Sequence, residues 1–181
     1  MNKTRRMACV MLCAIFAAVI ATAQSPVSKP AAERTIFGNA ESFKNSVPLP
    51  RGVLNVLTEP MKDDKYYRDF VVGKSGKDLN RLFTAVEVHL SGPNQLGYVI
   101  AGTLPLAGAD NEWFWVVGTG GPRPKVVLNE GASWLELSKS RSNGYRDIRS
   151  VWVMSGTRRT RVFHYDGTSY KLFNQTETSK P

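Results

Sequence analysis

Between residues 112 and 173 the chain is a succession of short β-branched and aromatic runs with only turn-forming residues between them. The runs are Trp113-Phe114-Trp115-Val116-Val117, Lys125-Val126-Val127-Leu128, Trp134-Leu135-Glu136-Leu137-Ser138, Asp147-Ile148-Arg149-Ser150-Val151-Trp152-Val153, Thr160-Arg161-Val162-Phe163-His164-Tyr165 and Tyr170-Lys171-Leu172-Phe173. Gly118 to Pro122, Asn129-Glu130-Gly131, Ser142-Asn143-Gly144, Ser155-Gly156-Thr157 and Asp166-Gly167 separate them. Such punctuation predicts antiparallel strands. The gaps are too short for crossover helices, which disfavours parallel pairing.

Upstream the pattern is mixed. Leu82, Thr84, Val86, Val88 and Leu90 alternate with Phe83, Ala85, Glu87 and His89, which predicts a strand. A turn at Ser91-Gly92-Pro93-Asn94 leads into a second strand, Leu96 to Gly102. Before these, Pro50 precedes a segment in which Val53, Leu54 and Leu57 share a helical face, although Gly52, Val53 and Val56 also allow a strand. Asp63 and Asp64 suit a helix start, with Tyr66, Tyr67, Phe70 and Val71 as one apolar stripe ended by Gly73. That stripe reads as core, with a ligand-lining role as the alternative.

The first 23 residues have the form of a secretory signal: Lys3, Arg5 and Arg6, an apolar run from Met7 to Ile20, then Ala21-Thr22-Ala23. Cleavage is expected after Ala23, with a periplasmic or secreted product of bacterial type. Both cysteines, Cys9 and Cys13, lie inside the signal, so the mature chain has no disulfide, catalytic thiolate or Cys-bound zinc. Residues 24–34 read as a disordered tether, 35–175 as one β-rich domain and 176–181 as a disordered tail. No later run is long enough to span a membrane.

Removing the three basic signal residues leaves 21 basic against 15 acidic residues, a net +6. From residue 25 to 122 ten of each sign balance, whereas 123–171 holds ten basic against four acidic residues. The strand-rich region therefore carries the excess. Arg158, Arg159 and Arg161 are its densest cluster, and with Tyr145 and Arg146 they are the candidate binding residues for an acidic partner. The structural alternative is that these cations solubilise strand edges.

Leu82-Phe83-Thr84-Ala85, Val88-His89-Leu90, Leu106-Ala107-Gly108-Ala109-Asp110-Asn111 with Trp113-Phe114-Trp115, Ser142 to Ile148, and Tyr165-Asp166-Gly167-Thr168-Ser169-Tyr170-Lys171 together resemble an uncharacterised group of secreted bacterial proteins with degenerate FG-GAP or VCBS-type β-repeats. The resemblance spans about residues 49–173 and implies a β-repeat architecture. Relatives of such repeats bind calcium on loops with alternating Asp and Asn. The comparable turn here, Leu90 to Gln95, has no acidic ligand, and the resemblance brings no activity with it.

Catalytic patterns are sparse. The two histidines, His89 and His164, form no H-E-x-x-H, and there is no Gly-x-Ser-x-Gly elbow. His164, Asp166 and Ser169 make a triad on paper without an oxyanion hole. Glu87 with Glu112 or Asp110 is a carboxylate pair for glycoside hydrolysis if the spacing allows. Asp110-Asn111-Glu112 is a loop-to-strand turn or part of a hard-cation site. The Gly118 to Gly121 loop precedes Pro122, not a helix, and makes a poor phosphate cradle. Trp113 and Trp115 share one strand face and Phe114 takes the other, so aromatic faces are either core or a contact surface.

The sequence thus predicts a mainly β domain, an antiparallel meander of sandwich or partial-propeller type with one or two short N-terminal helices. Its function reads as a non-catalytic envelope protein that uses a basic and aromatic β surface to bind an acidic protein or glycan partner. No cofactor, metal, nucleic acid or membrane span is implied for the mature chain. The alternative is a small periplasmic hydrolase that acts on envelope glycans with a carboxylate pair.

Overall fold

The computed structural model describes residues 35–38, 40–93, 95–107 and 112–179. The expected signal and tether, along with Asn94, Asp110 and Asn111, lie outside the described residues. Nine strands form two antiparallel sheets among them. The first sheet is a consecutive meander of β2 (Phe83–His89), β3 (Leu96–Gly102), β4 (Glu112–Gly118) and β5 (Lys125–Ala132). The second repeats the plan with β6 (Trp134–Ser142), β7 (Tyr145–Met154), β8 (Thr157–Tyr165) and β9 (Tyr170–Ser179). A two-residue β1 (Ile36–Phe37) joins the free side of β6. The predicted mainly β, antiparallel class is what the chain adopts, and its two sheets pack as a sandwich.

A single residue carries the chain from one sheet to the other. Ser133 separates β5 from β6; its N–H donates to the Val151 carbonyl at 2.8 Å, and its hydroxyl accepts the Val153 N–H at 2.9 Å. The expected turn at 129–131 is therefore absent, and β5 runs straight through it to Ala132. The chain bends into the second sheet instead of reversing within the first, a corner typical of packed sheets.

Three layers result. Phe37, Val99, Phe114, Val116, Leu135, Leu137, Ile148 and Phe163 fill the space between the sheets. On the opposite face of the first sheet, Phe83, Ala85, Tyr98, Ile100, Trp115 and Val117 pack under a helical cover. That cover comprises α1 (Arg51–Thr58), a 3-10 turn (Pro60–Lys62), α2 (Arg68–Val71) and α3 (Gly76–Asn80). The helical option for 51–57 is the one realised, because Val53, Leu54 and Leu57 fall on one buried stripe. Double coverage explains the burial of β3 from Gly97 to Gly102 without alternation.

The helical stripe at 66–71 forms only in part. Tyr66 is 71% exposed and Phe70 is 37% exposed, and of the four stripe residues Val71 alone is buried. Asp64 is not a helix cap; its Oδ1 accepts the Tyr66 N–H at 2.8 Å and folds the chain into a turn. At the C-terminus, β9 pairs with β8 as far as Ser179, so residues 176–179 are strand, not tail. Asn143-Gly144 and Ser155-Gly156 have positive φ at both positions and close two-residue hairpins. The Asp166-Gly167 corner is longer than predicted, because Asp166 Oδ1 accepts the N–H groups of Thr168 and Ser169 and makes a four-residue loop.

A polar contact at the core edge links the sheets. Glu130 of β5 accepts from Ser150 Oγ of β7 and from Arg161 Nη1 of β8, each at 3.0 Å. Glu130→Ala leaves both donors without this acceptor and should lower stability by about 1–3 kcal/mol. Thermal denaturation monitored by circular dichroism reads this; an unchanged Tm would mean that the sheets do not depend on the contact.

Candidate functional site

Strand alternation decides which predicted residues meet. Arg158 lies on the outer face of the second sheet with its guanidinium over the Trp134 ring, 5.4 Å from the centroid. Arg159 points the other way, 5.3 Å from the Trp152 ring and paired with Glu177 at 3.0 Å. Arg161 shares that second direction and is held by Glu130 and by Gln175. The three arginines thus do not form one patch, since neighbours along a strand point to opposite faces.

Tyr145 and Arg146 have structural surroundings as well. Arg146 is buried; its Nε donates to the Ser138 carbonyl at 2.9 Å and its Nη2 to the Leu137 carbonyl at 2.6 Å. These carbonyls sit where β6 bulges between Leu137 and Arg141, so the guanidinium satisfies acceptors that the irregular pairing exposes. Tyr145 stacks on Tyr165, with ring centroids 4.0 Å apart, and Tyr165 meets Tyr170 edge-on at 5.3 Å. Tyr165 and Tyr170 stand opposite each other on β8 and β9 as a cross-strand pair.

The catalytic candidates do not assemble. Asp166 is engaged with its own loop, and the carboxylate nearest His164 is Asp147, with Nε2 to Oδ2 at 3.8 Å. Asp147 is buried, and its Oδ1 has no hydrogen-bond partner among the described residues. Phe173 stacks over His164 at 3.9 Å. His89 is half-buried. Glu87 faces the helical layer, where its Oε1 accepts from Tyr98 Oη at 3.2 Å. Glu112 lies on the sandwich side, and the register places it about five residues away along the sheet, or roughly 17 Å. That exceeds the spacing of either glycosidase geometry. No group of three or more metal-ligating side chains occurs among the described residues, and no described helix is long and apolar enough to cross a membrane.

A cleft opens elsewhere, where the helical cover stops short of the β4–β5 edge. It has a volume of about 430 Å³, within the range of small-ligand sites. Trp113, Trp115, Tyr67, Met61, Pro60 and Pro124 supply apolar walls, and Asp64, Lys125 and Asn129 supply polar groups. Its construction follows from the local sequence. Trp113 and Trp115 point to the helical side of β4, but α1 and the Pro60–Lys62 turn cover only Trp115, which packs edge-on against Phe83. Trp113 remains 41% exposed. Its indole N–H donates to Asn129 Oδ1 on β5. Gly131 is its cross-strand partner, and a Cβ there would lie 3.1 Å from the indole Cζ3. The missing side chain therefore lets the six-membered ring settle onto β5.

Tyr67 and the Trp-x-Trp pair were visible in the sequence as a possible contact surface. Asp64, Asn129 and Gly131 were not, because the first read as a helix cap and the others as a turn. Cross-strand register is what joins Asn129 and Gly131 to Trp113. No family model, curated protein or solved structure matches this chain.

At the start of β4, burial pushes the Glu112 carboxyl above its ordinary value of 4.5, and its Oε2 has no hydrogen-bond partner among the described residues. The folded state thus binds this proton more tightly than the unfolded chain does. Glu112 consequently weakens stability as pH rises from 4.5 through the raised folded value. Glu112→Gln should raise Tm at pH 7, with the gain shrinking as pH falls below the ordinary value. Equal Tm for the two proteins at pH 7 would show that the carboxylate carries no burial cost.

Proposed function

We propose that this chain is an exported, non-catalytic binding protein of the bacterial envelope, and that its partner is held in the cleft between α1 and the β4–β5 edge. The carrying observation is the pinned, half-open Trp113 ring beside a cleft with few polar groups. Fixed aromatic surface is an effective anchor because little side-chain freedom remains to be lost on binding.

The basic part of the expected surface contributes less. Arg159 and Arg161 have acidic partners within the fold, while Arg158 covers Trp134. Export, the bacterial source and the likeness to β-repeat proteins rest on the residues quoted for them; the binding reading rests on the cleft. The hydrolase alternative has no favourable observation behind it, because Glu87 and Glu112 face opposite sides of one sheet.

Envelope fractions passed over immobilised protein test the reading. Material retained by the wild type at low and high salt, and lost by Trp113→Ala, is the expected result; a hydrophobic anchor resists salt where exposed ion pairs do not. Retention that vanishes at high salt, or that Trp113→Ala leaves intact, would place binding outside the cleft.

A further inference from the structure

We propose that the ligand of this cleft is an oligosaccharide of β-linked, N-acetylated hexosamines, with one sugar stacked on the Trp113 indole; this rests on the binding reading above. A β-linked pyranose with equatorial substituents presents a flat face of axial C–H groups, and the electron-rich face of an indole is its natural complement. The ring meets the needs of a platform: one side rests against β5 at Gly131, the N–H is held by Asn129, and 41% of the residue is open.

The polar groups match hydroxyls. Asn129 uses its Oδ1 on the indole, which leaves its amide hydrogens as donors. Asp64 uses Oδ1 on the Tyr66 N–H, which leaves Oδ2 as an acceptor on the cleft wall. One carboxylate and one ammonium, Asp64 and Lys125, are the only charged side chains of the lining, so the cleft has no net charge. A neutral sugar suits it better than an acidic polymer. Met61, Leu57 and Trp115 also line the cleft and are nearly buried, an apolar surface suited to the methyl of an acetamido group.

Isothermal titration of the full chain with N,N′,N″-triacetylchitotriose tests the proposal, with maltotriose and a proline-rich peptide as comparison ligands. Saturable binding of the chitotriose is expected, tighter than that of maltotriose. Trp113→Ala and Asn129→Ala should each weaken it by about tenfold or more, whereas Trp134→Ala, outside the cleft, should not change it. Circular dichroism confirms that each variant is folded. No binding of chitotriose to the folded wild type, or binding insensitive to Trp113→Ala, overturns the saccharide assignment. Trp113-dependent binding of the peptide without chitotriose binding also overturns it, yet leaves the cleft as the binding site. Loss of Trp113 dependence in the envelope experiment removes the cleft itself.

Discussion

Burial of the β2–β5 sheet on both faces is the constraint on which the rest of the molecule depends. Its sandwich face meets the second sheet through Phe114, Val116 and their neighbours, and its other face meets the helical cover through Phe83, Ile100, Trp115 and Val117. A fully buried large apolar side chain contributes about 1.5–3 kcal/mol, so neither covering layer is dispensable. The outer face of the second sheet mixes polar side chains such as Glu136, Arg149 and Arg158 with the Trp134 ring and the buried Val151. The proposed binding role follows from where the cover ends. α1 and the turn after it reach Trp115 and stop before Trp113, which leaves an aromatic ring that is positioned as core and exposed as surface.

The polar side chains show the same economy of placement. Glu130 joins the sheets, Arg146 satisfies the bulged backbone of β6, and Asn80 Oδ1 accepts the Leu49 N–H at 2.7 Å to fasten the segment before α1. Much of the basic excess of the second half is therefore structural. Arg158 and Arg159 flank aromatic rings on opposite faces of one strand, and Arg149 pairs with Glu136 across β6 and β7. Net charge alone pointed to an acidic partner; the direction of each side chain removes the common surface that such a partner would need.

Strands and hairpins were legible in the sequence because their causes are local: period-two burial, and Asn-Gly or Ser-Gly at corners that need positive φ. The division into two sheets was not legible. It turns on Ser133, whose partners Val151 and Val153 lie about twenty residues away. Trp113 and Trp115 have the same strand parity, so alternation cannot tell the exposed ring from the buried one; the length of the helical cover decides. His164 illustrates the same limit. Asp166 is its neighbour in sequence, but cross-strand placement brings Asp147 to it instead.

Because the chain has four tryptophans, its indole N–H groups give four reporters in a two-dimensional nitrogen–proton NMR spectrum. Titration with the chitotriose should move the Trp113 signal most and Trp115 next, with Trp134 and Trp152 stationary. Movement confined to Trp134 or Trp152, which lie against Arg158 and Arg159, would contradict the account and return the binding site to the basic strands.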